Sequence, residues 1–275
     1  GTLPALAVTV EGIVGAGLGT ANDQPPRALT PGGGLAGTQP QLGESGRLLY
    51  LTFGQFERDE PVARRNETAH DNWLVTLVDY YIQHWPEVQV VTGPVESIVT
   101  ASYPIYLPKD IHNKLQLKRQ TGEVLLEAYT NNVIFDLAIC KETGLRFDDA
   151  MQHCGGTDRL FFIQAANHGY KIVWNRQALV YEQIDADRLK LSWLIKRHAR
   201  HGVTYVQVTK QLHDKGTKRI RLYVCEIFYT LRDTLKKILR KHPRYMITYV
   251  SLGVARCVGI IMALVGMRVN EYKSR

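Results

Sequence analysis

Apolar residues recur along the chain with two different periods, and these predict helices and strands in alternation. Across positions 72–84 the apolar residues return every three or four positions. This spacing predicts a helix with one apolar face, made of Trp73, Leu74, Leu77, Val78, Tyr81 and Ile82. Short unbroken apolar runs next to turn residues predict buried strands, and these lie at 48–53, 88–91, 133–140, 171–174 and 178–181. This alternation indicates an α/β fold, with the aromatic residues of 72–84 in its core.

A further helix is predicted directly after the turn Gly155-Gly156-Thr157-Asp158, and Gly169 is predicted to end it. Asp158 falls in the first turn, where the helix dipole and unpaired backbone N–H groups favour a carboxylate. We therefore expect Asp158 to be ionised near neutral pH and able to accept a proton. An ordinary capping role for Thr157 or Asp158 explains the same spacing.

A basic helix is predicted over positions 188–201. Its apolar side carries Trp193, and its other side carries Arg197 and Arg200. A guanidinium group can bind two phosphate oxygens at once, so this face suits a diphosphate. A basic face that is simply solvated is the other interpretation.

Positive charge is concentrated towards the C-terminus. The whole chain has a net charge of +8, and positions 215–244 hold ten Lys or Arg residues against Glu226 and Asp233. Apolar residues are interleaved with the cationic ones, which predicts an amphipathic helix that can lie in an anionic membrane surface. Nucleic acid is the competing polyanion. Only the charge supports it, so we expect no nucleic-acid partner.

Positions 246–267 form an apolar run of 22 residues with a single charge, Arg256. The run is long enough to span a bilayer. A charge near the middle of a span is costly, however. A full span, a partly buried or re-entrant helix and a soluble core helix therefore remain open, and membrane association of some kind is the prediction.

The first 46 residues are rich in Gly and Pro and almost without charge, so they are predicted to be poorly ordered. The run G-A-G-L-G at 15–19 lacks the third glycine of a dinucleotide-binding loop, and no helical pattern follows it. No basic leader precedes the apolar residues of 1–19, so no signal peptide is predicted. The four cysteines are scattered, which favours a reducing, cytosolic setting over a zinc site or a disulfide framework.

An ordered set of residues follows Phe147 and Asp148, namely Gly155, Gly156, Asp158, Phe161, Phe162, Gly169, Ile172, Trp174, Ala178, Val180, Tyr181, Glu182, Arg188, Trp193, Arg197, Arg200 and Gly202. In this order they resemble the second half of the catalytic domain of family 2 glycosyltransferases, the inverting GT-A type, and in particular bacterial enzymes of surface polysaccharide assembly. The resemblance covers positions 73–202. Thr157 departs from it, because Glu is commoner at that place in the family.

The resemblance implies a GT-A-like mixed sheet flanked by helices, with an N-terminal nucleotide-binding part that is not recognisable and a C-terminal tail of basic and apolar helices. Together with the composition and charge patterns, it divides the chain into a poorly ordered segment 1–46, a partial glycosyltransferase domain 47–205 and a membrane-associated tail 206–275. It implies inverting transfer from a nucleotide-sugar donor to a carbohydrate or lipid-linked acceptor, in polysaccharide or glycolipid synthesis at the cytoplasmic face of the cell membrane. A degenerate, non-catalytic, membrane-associated homologue without the nucleotide half is the alternative.

The resemblance also implies roles for individual residues. Asp158 would be the general base. Glu57 and Asp59 would hold Mg²⁺ or Mn²⁺ against the diphosphate, although a solvated charged turn, or an alignment that places the family's Ala-Arg-Asn segment at 61–66, explains them equally. The residues that would bind the donor or its phosphates are Asn132, Gly155, Gly156, Arg188, Arg197 and Arg200.

Overall fold

Two mixed β-sheets flanked by helices make up the computed structural model, which describes residues 6–11, 47–53, 67–109, 111–112, 118–148, 151 and 155–266. In chain order the elements are β1 (Leu6–Glu11), β2 (Arg47–Phe53), β3 (Glu67–Ala69), α1 (Trp73–His84), β4 (Val90–Thr92), β5 (Val95–Val99), β6 (Val124–Leu125), β7 (Asn132–Asp136), α2 (Ala138–Thr143), α3 (Thr157–Asn167), β8 (Ile172–Trp174), β9 (Val180–Ile184), α4 (Leu191–Leu212), α5 (Thr217–Arg240) and α6 (Met246–Leu264). The predicted α/β class is confirmed, and the GT-A type stays a prediction.

The larger sheet has six strands in the order β1-β2-β7-β4-β8-β6. Its pairing is mixed, because β1 and β4 run parallel to β2 and β8 respectively, whereas β7 runs antiparallel to both β2 and β4. β1 lies within the segment 1–46, for which the sequence predicts poor order. The rest of that segment is outside the described residues.

Successive residues of the central strands point to opposite faces of the sheet, as the pleat requires. On one face Val91, Ile134 and Val173 pack with Trp73 and Leu77 of α1. The apolar face predicted for α1 is confirmed, since Trp73, Leu77 and Tyr81 are 2%, 0% and 1% exposed. Its other members are half-buried against the same cluster, namely Leu74, Val78 and Ile82.

The opposite face of the same strands carries a second apolar cluster, in which Phe135 of β7 meets Phe161 and Phe162 of α3. Phe147, upstream of α3, stacks on Phe161 with ring centroids 4.5 Å apart. This cluster fixes α3 on the sheet, and with it the first turn that contains Asp158.

The smaller sheet has three strands in the order β3-β9-β5, with β9 antiparallel to β3 and parallel to β5. Val95 of β5 and Val180 of β9 join the apolar cluster beneath α1. The smaller sheet and α1 thus share one core with the larger sheet.

The sequence predicts a single strand over the apolar run at 133–140, but the structure divides this run between a strand and a helix. β7 ends at Asp136, and α2 begins two residues later. The Asp136 carboxylate accepts a hydrogen bond of 2.8 Å from the N–H of Ala138, which helps to turn the chain out of the sheet. Gly144, with φ of 72°, then ends α2 in the left-handed conformation that glycine adopts without strain.

The predicted helix at 188–201 is also divided differently. Residues Ala186–Leu189 form a 3₁₀ turn, Lys190 is extended, and α4 then continues to Leu212. α4 therefore runs through position 205, where the resemblance places a domain boundary. α5 and α6 confirm the two helices that the charge and hydropathy patterns predict for the tail.

α4 and α6 lie in backbone contact because glycine stands on both helices where they meet. A Cβ on Gly202 of α4 would lie 2.2 Å from the carbonyl oxygen of Arg256, and one on Gly259 of α6 would lie 1.9 Å from the carbonyl oxygen of Ala199. No side chain fits in either place.

Arg256, the single charge in the apolar run, has a partner within the protein. Its Nε and one terminal nitrogen donate to the Glu226 carboxylate of α5 at 3.0 and 2.6 Å. Within the part of the chain that the structure describes, Pro243–Leu264 is the one helical segment long and apolar enough to cross a membrane, and the window that meets this test is partly buried in the protein.

We predict that Gly259→Ala lowers the free energy of unfolding by about 1–3 kcal/mol, because the added methyl group overpacks a backbone contact that cannot yield without separating α4 from α6. Chemical denaturation measures the change. The control is Val258→Ala at the adjacent position, whose side chain is 44% exposed and should cost less. Equal stability of Gly259→Ala and the parent chain would contradict the close packing.

Candidate functional site

The turn before α3 depends on two glycines in the left-handed conformation. Gly155 has φ of 71° and Gly156 has φ of 89°. A Cβ on Gly156 would also lie 2.4 Å from the side chain of Thr204 on α4, so the position is closed to other residues by both strain and space. The two glycines that the resemblance assigns to donor binding thus have a demonstrable role in the turn itself.

Asp158 lies in the first turn of α3, as predicted, and its carboxylate is held from both sides by backbone N–H groups. Oδ1 accepts from Arg159 at 2.7 Å and Oδ2 accepts from Thr130 at 3.3 Å. Gly156 is the N-cap residue, and no side chain caps the helix. The carboxylate therefore contacts the loop before β7 in addition to the end of its own helix.

The electrostatic environment of Asp158 differs from the prediction in its sign. Burial raises the pKa of the Asp158 carboxyl above its ordinary value of 3.8, and the N–H groups of Arg159 and Thr130 only partly oppose that rise. The rise in pKa caused by desolvation is therefore larger than the lowering caused by the N–H groups at the start of the helix. A carboxylate with a raised pKa is a stronger base, and the Asp158 residue as a whole is half-buried.

A second acidic group stands beside this turn and was not found from the sequence. The Glu127 carboxylate accepts 2.6 Å from Nε of Arg159 and 2.9 Å from the hydroxyl of Tyr129. Arg159 follows Asp158 directly, and Thr130 follows Tyr129, so these contacts close a polar ring of which Asp158 is a member. Glu127 is 32 residues away along the chain from Arg159, and its stretch has no pattern that marks it.

Two of the predicted phosphate-binding arginines are brought together on one aromatic ring. The guanidinium carbons of Arg188 and Arg197 lie 5.7 and 5.1 Å from the ring centroid of Trp193. Arg188 also donates 2.9 Å to the buried carboxylate of Glu182 on β9. Trp193 and Glu182 appear in the ordered set of the resemblance, but the sequence assigns them no role. The structure shows that they position the arginines.

Three histidines near these arginines are neutral at physiological pH. Burial lowers the pKa of His112 and of His198 to about 4, and it lowers the pKa of His201 to about 2. Arg197 adds to the lowering at each of them. His201, which lies one residue after Arg200 on α4, is half-buried. Arg200, the third predicted arginine, lies next to His201 on α4 and acts electrostatically on it.

Asn132 lies at the start of β7 with no exposed surface, and its amide is fully engaged within the protein. Its oxygen accepts from Nε1 of Trp73 at 2.7 Å, and its nitrogen donates to the carbonyl oxygens of Pro94 and Ala178 at 2.9 and 2.7 Å. Asn132 therefore connects α1 with the two segments that lead into β5 and β9. Its predicted contact with a sugar donor stays a prediction.

The predicted metal ligands Glu57 and Asp59 lie outside the described residues. Among the residues that are described, no group of three His, Cys, Asp or Glu side chains is placed to hold a metal ion. The structure therefore offers no donor set against which Mg²⁺ or Mn²⁺ can be judged, and the metal stays a prediction.

Comparison with known proteins gives one informative similarity. No protein-family model matches the chain. The chain is similar to the succinoglycan biosynthesis protein ExoM of Rhizobium meliloti (strain 1021), with 28% identity over 141 residues, which are 51% of this chain and 44% of that protein. The match thus spans less than half of that relative. This similarity supports a glycosyltransferase-like relationship at the level of polysaccharide biosynthesis.

We predict that Asn132→Ala lowers the free energy of unfolding by about 2 kcal/mol or more, because Nε1 of Trp73 and the carbonyl oxygen of Ala178 lose their partner in the core, each at a cost of about 1–3 kcal/mol. The carbonyl oxygen of Pro94 keeps the N–H of Val180 at 3.0 Å. Thermal or urea unfolding measures the loss. Asn167→Ala on the exposed end of α3 is the control and should change stability by about 0.5 kcal/mol at most. Unchanged stability of Asn132→Ala would contradict a structural role for its three hydrogen bonds.

Proposed function

We propose that the chain is a glycosyltransferase that moves a sugar from a nucleotide-sugar donor to an acceptor hydroxyl with inversion, in the synthesis of a cell-surface polysaccharide or glycolipid. The observation that carries the proposal is the carboxylate of Asp158, which two backbone N–H groups hold at a helix start and whose pKa is raised by burial. The similarity to a protein of succinoglycan biosynthesis supports the polysaccharide class.

Asp158 is proposed to be the general base. Its carboxylate takes the proton of the acceptor hydroxyl as the acceptor oxygen forms a bond to the anomeric carbon of the donor. The bond from that carbon to the diphosphate breaks, and its electron pair leaves with the phosphate oxygen. Because the base and the leaving group act on opposite sides of the carbon, its configuration inverts. The N–H groups of Arg159 and Thr130 keep the carboxylate aimed in one direction throughout.

The ring of Glu127, Tyr129 and Arg159 supports this role indirectly. The guanidinium of Arg159 forms its ion pair with Glu127, at 2.6 Å, and not with the carboxylate of Asp158. A guanidinium bound to Asp158 would lower its pKa and weaken it as a base. Glu127 thus keeps the cation next to the base from neutralising it.

The arginines on Trp193 are proposed to bind the diphosphate. Arg188 is held by Glu182, and both Arg188 and Arg197 are oriented by the indole ring, so little side-chain entropy would be lost when a phosphate binds. Arg200 is a further candidate on the same helix. Gly155 and Gly156 are proposed donor contacts as well, through their backbone. The buried and fully hydrogen-bonded amide of Asn132 is proposed to contribute only by holding the start of β7 in place.

A divalent cation, Mg²⁺ or Mn²⁺, is proposed to neutralise the leaving diphosphate, with Glu57 and Asp59 as its protein ligands. The acceptor is proposed to be a carbohydrate or a lipid-linked saccharide, and the place of the reaction to be the cytoplasmic face of the cell membrane. No part of the proton transfer to Asp158 depends on these assignments.

We predict that Asp158→Asn reduces transfer by about 10²–10⁴-fold, because a positioned base typically contributes that much. Its melting temperature should change little, since the amide oxygen keeps one N–H partner and removal of a charge from a desolvated place offsets loss of the other. The parent chain should lose activity on the acid side at a pH above 3.8, as the raised pKa of Asp158 is crossed and the base is protonated.

The control for this variant is Asp79→Asn, an exposed aspartate on α1, which should retain the parent rate. Transfer by Asp158→Asn at more than about a tenth of the parent rate would rule out a general-base role.

We predict that one of UDP, GDP and dTDP raises the melting temperature of the chain and that Mn²⁺ is needed for the shift. A ligand at about 100 times its dissociation constant stabilises the folded state by about 2.7 kcal/mol. The double variant Glu57→Gln, Asp59→Asn should lose the shift, whereas Glu87→Gln, an exposed acid next to α1, should keep it. If none of the nucleotides shifts the parent chain, the non-catalytic homologue becomes the better proposal.

A further inference from the structure

The apolar residues of α5 form a row on the outside of the protein. Six of them recur every three or four positions, and each is 52–75% exposed: Ile220, Val224, Phe228, Leu231, Leu235 and Leu239. Within a single helix this spacing places them along one face. An exposed apolar row of this length normally marks a surface that contacts something other than water.

Basic residues lie beside that row, each at the same distance along the chain from one of its members. Arg221, Arg232, Lys236 and Arg240 each stand one position after a member of the row, and all four are exposed. One position is a rotation of about 100° on a helix, so these cations line one edge of the apolar face. α5 as a whole carries seven Lys or Arg against Glu226 and Asp233. An apolar face edged by cations fits the surface of an anionic bilayer.

A second copy of the chain fits this surface less well. Of the two acids on α5, Glu226 pairs with Arg256 and Asp233 pairs with Arg232. Two such helices packed face to face would therefore bring together an excess of cations, and repulsion of that kind opposes association. The phosphate groups of an anionic bilayer supply the opposite charge.

α6 also has an exposed apolar row, but its packing is incompatible with a transmembrane span. The outer row is Ile247, Val250, Val254, Val258 and Ile261, each 40–70% exposed. The other side of α6 contacts α4, through Gly202 and Gly259 and through Lys210, whose Nζ donates 3.2 Å to the carbonyl oxygen of Ala263. α4 also carries Lys196, Arg197 and Arg200. If α6 crossed the hydrocarbon, these cations would have to enter it too, which is costly.

The pairing of Arg256 with Glu226 gives the same result from the other helix. It connects the middle of α6 to α5, whose cationic edge must stay in water or among lipid headgroups. Both neighbours of α6 therefore keep it at the level of the interface.

We propose that α5 and α6 attach the protein to an anionic bilayer as an interfacial helical pair, with the apolar row of α5 inserted among the lipids, its cationic edge on the phosphates and α6 not spanning. The proposal rests on packing and charge alone. It is independent of the proposed transferase activity, so a binding assay can contradict one without affecting the other.

The full chain is tested by flotation with vesicles of phosphatidylcholine and phosphatidylglycerol at about 70:30, and with pure phosphatidylcholine vesicles. We expect binding to the anionic vesicles. We also expect about 0.5 M NaCl to weaken this binding, because salt screens the attraction between exposed charges. The double variant Arg232→Gln, Lys236→Gln should bind about 30-fold more weakly, which corresponds to about 1 kcal/mol for each basic residue near the surface. Equal binding to both kinds of vesicle, or to neither, would overturn the proposal.

The apolar row is tested by Leu235→Asp against a matched control. Leu235 is 56% exposed on α5, and Val75 is 59% exposed on α1, so Leu235→Asp and Val75→Asp place a charge at equally exposed apolar positions. We expect the first variant to lose vesicle binding and the second to keep it, with both retaining the parent melting temperature. Two results would show that a protein partner and not lipid covers the row. One is vesicle binding by Leu235→Asp at the parent level, and the other is a dimer of the parent chain that Leu235→Asp abolishes.

Alkaline carbonate extraction of membranes from cells that express the chain separates interfacial attachment from a span. An interfacial protein is released, and a spanning one stays in the pellet. Release is the expected result, and retention would overturn the interfacial arrangement of α6.

Discussion

The close approach of α4 to its neighbours is the constraint on which the rest of the structure depends. Gly202 and Gly259 allow the backbones of α4 and α6 to touch, and Gly156 allows the turn before α3 to lie against Thr204 of α4. One helix thus sets the position of the turn that carries Asp158 and also the position of the tail. Packing this tight is unforgiving, because a methyl group has no space to enter without moving a whole helix.

Polar groups at the candidate site are held by a small number of well-placed partners. The Asp158 carboxylate is fixed by two backbone N–H groups, Arg159 by Glu127, and Arg188 by Glu182. Each cation is thereby kept on a carboxylate other than that of Asp158. The consequence is a carboxylate whose pKa is raised by burial, in place of the low value that a helix start alone would produce.

Arg256 illustrates how a costly residue becomes an ordinary one in its context. In an isolated span it would oppose insertion, but in the folded chain it pairs with Glu226 and joins α6 to α5. Whether α6 can span a membrane therefore depends on this contact with α5 as well as on its length and hydropathy. The apolar surface that remains exposed on α5 and α6 is then a property of the assembled helices.

Much of the architecture follows from local pattern. The buried face of α1, the strands around Val91 and Val173, the helix after Gly156 and the two helices of the tail were all predicted, because each has a clear apolar period and turn residues at its ends. Where the apolar run continued through a change of element, as at Asp136 and Ala138, the pattern could not mark the boundary. The boundary there depends on one hydrogen bond, which the side chain of Asp136 accepts from the N–H of Ala138.

Contacts between distant parts of the chain could not be predicted in this way. They are the polar ring that includes Asp158, the arginines on Trp193 and the buried amide of Asn132. Their geometry was settled by tertiary packing, because burial and the choice of hydrogen-bond partner depend on which elements meet and not on the spacing within any one of them.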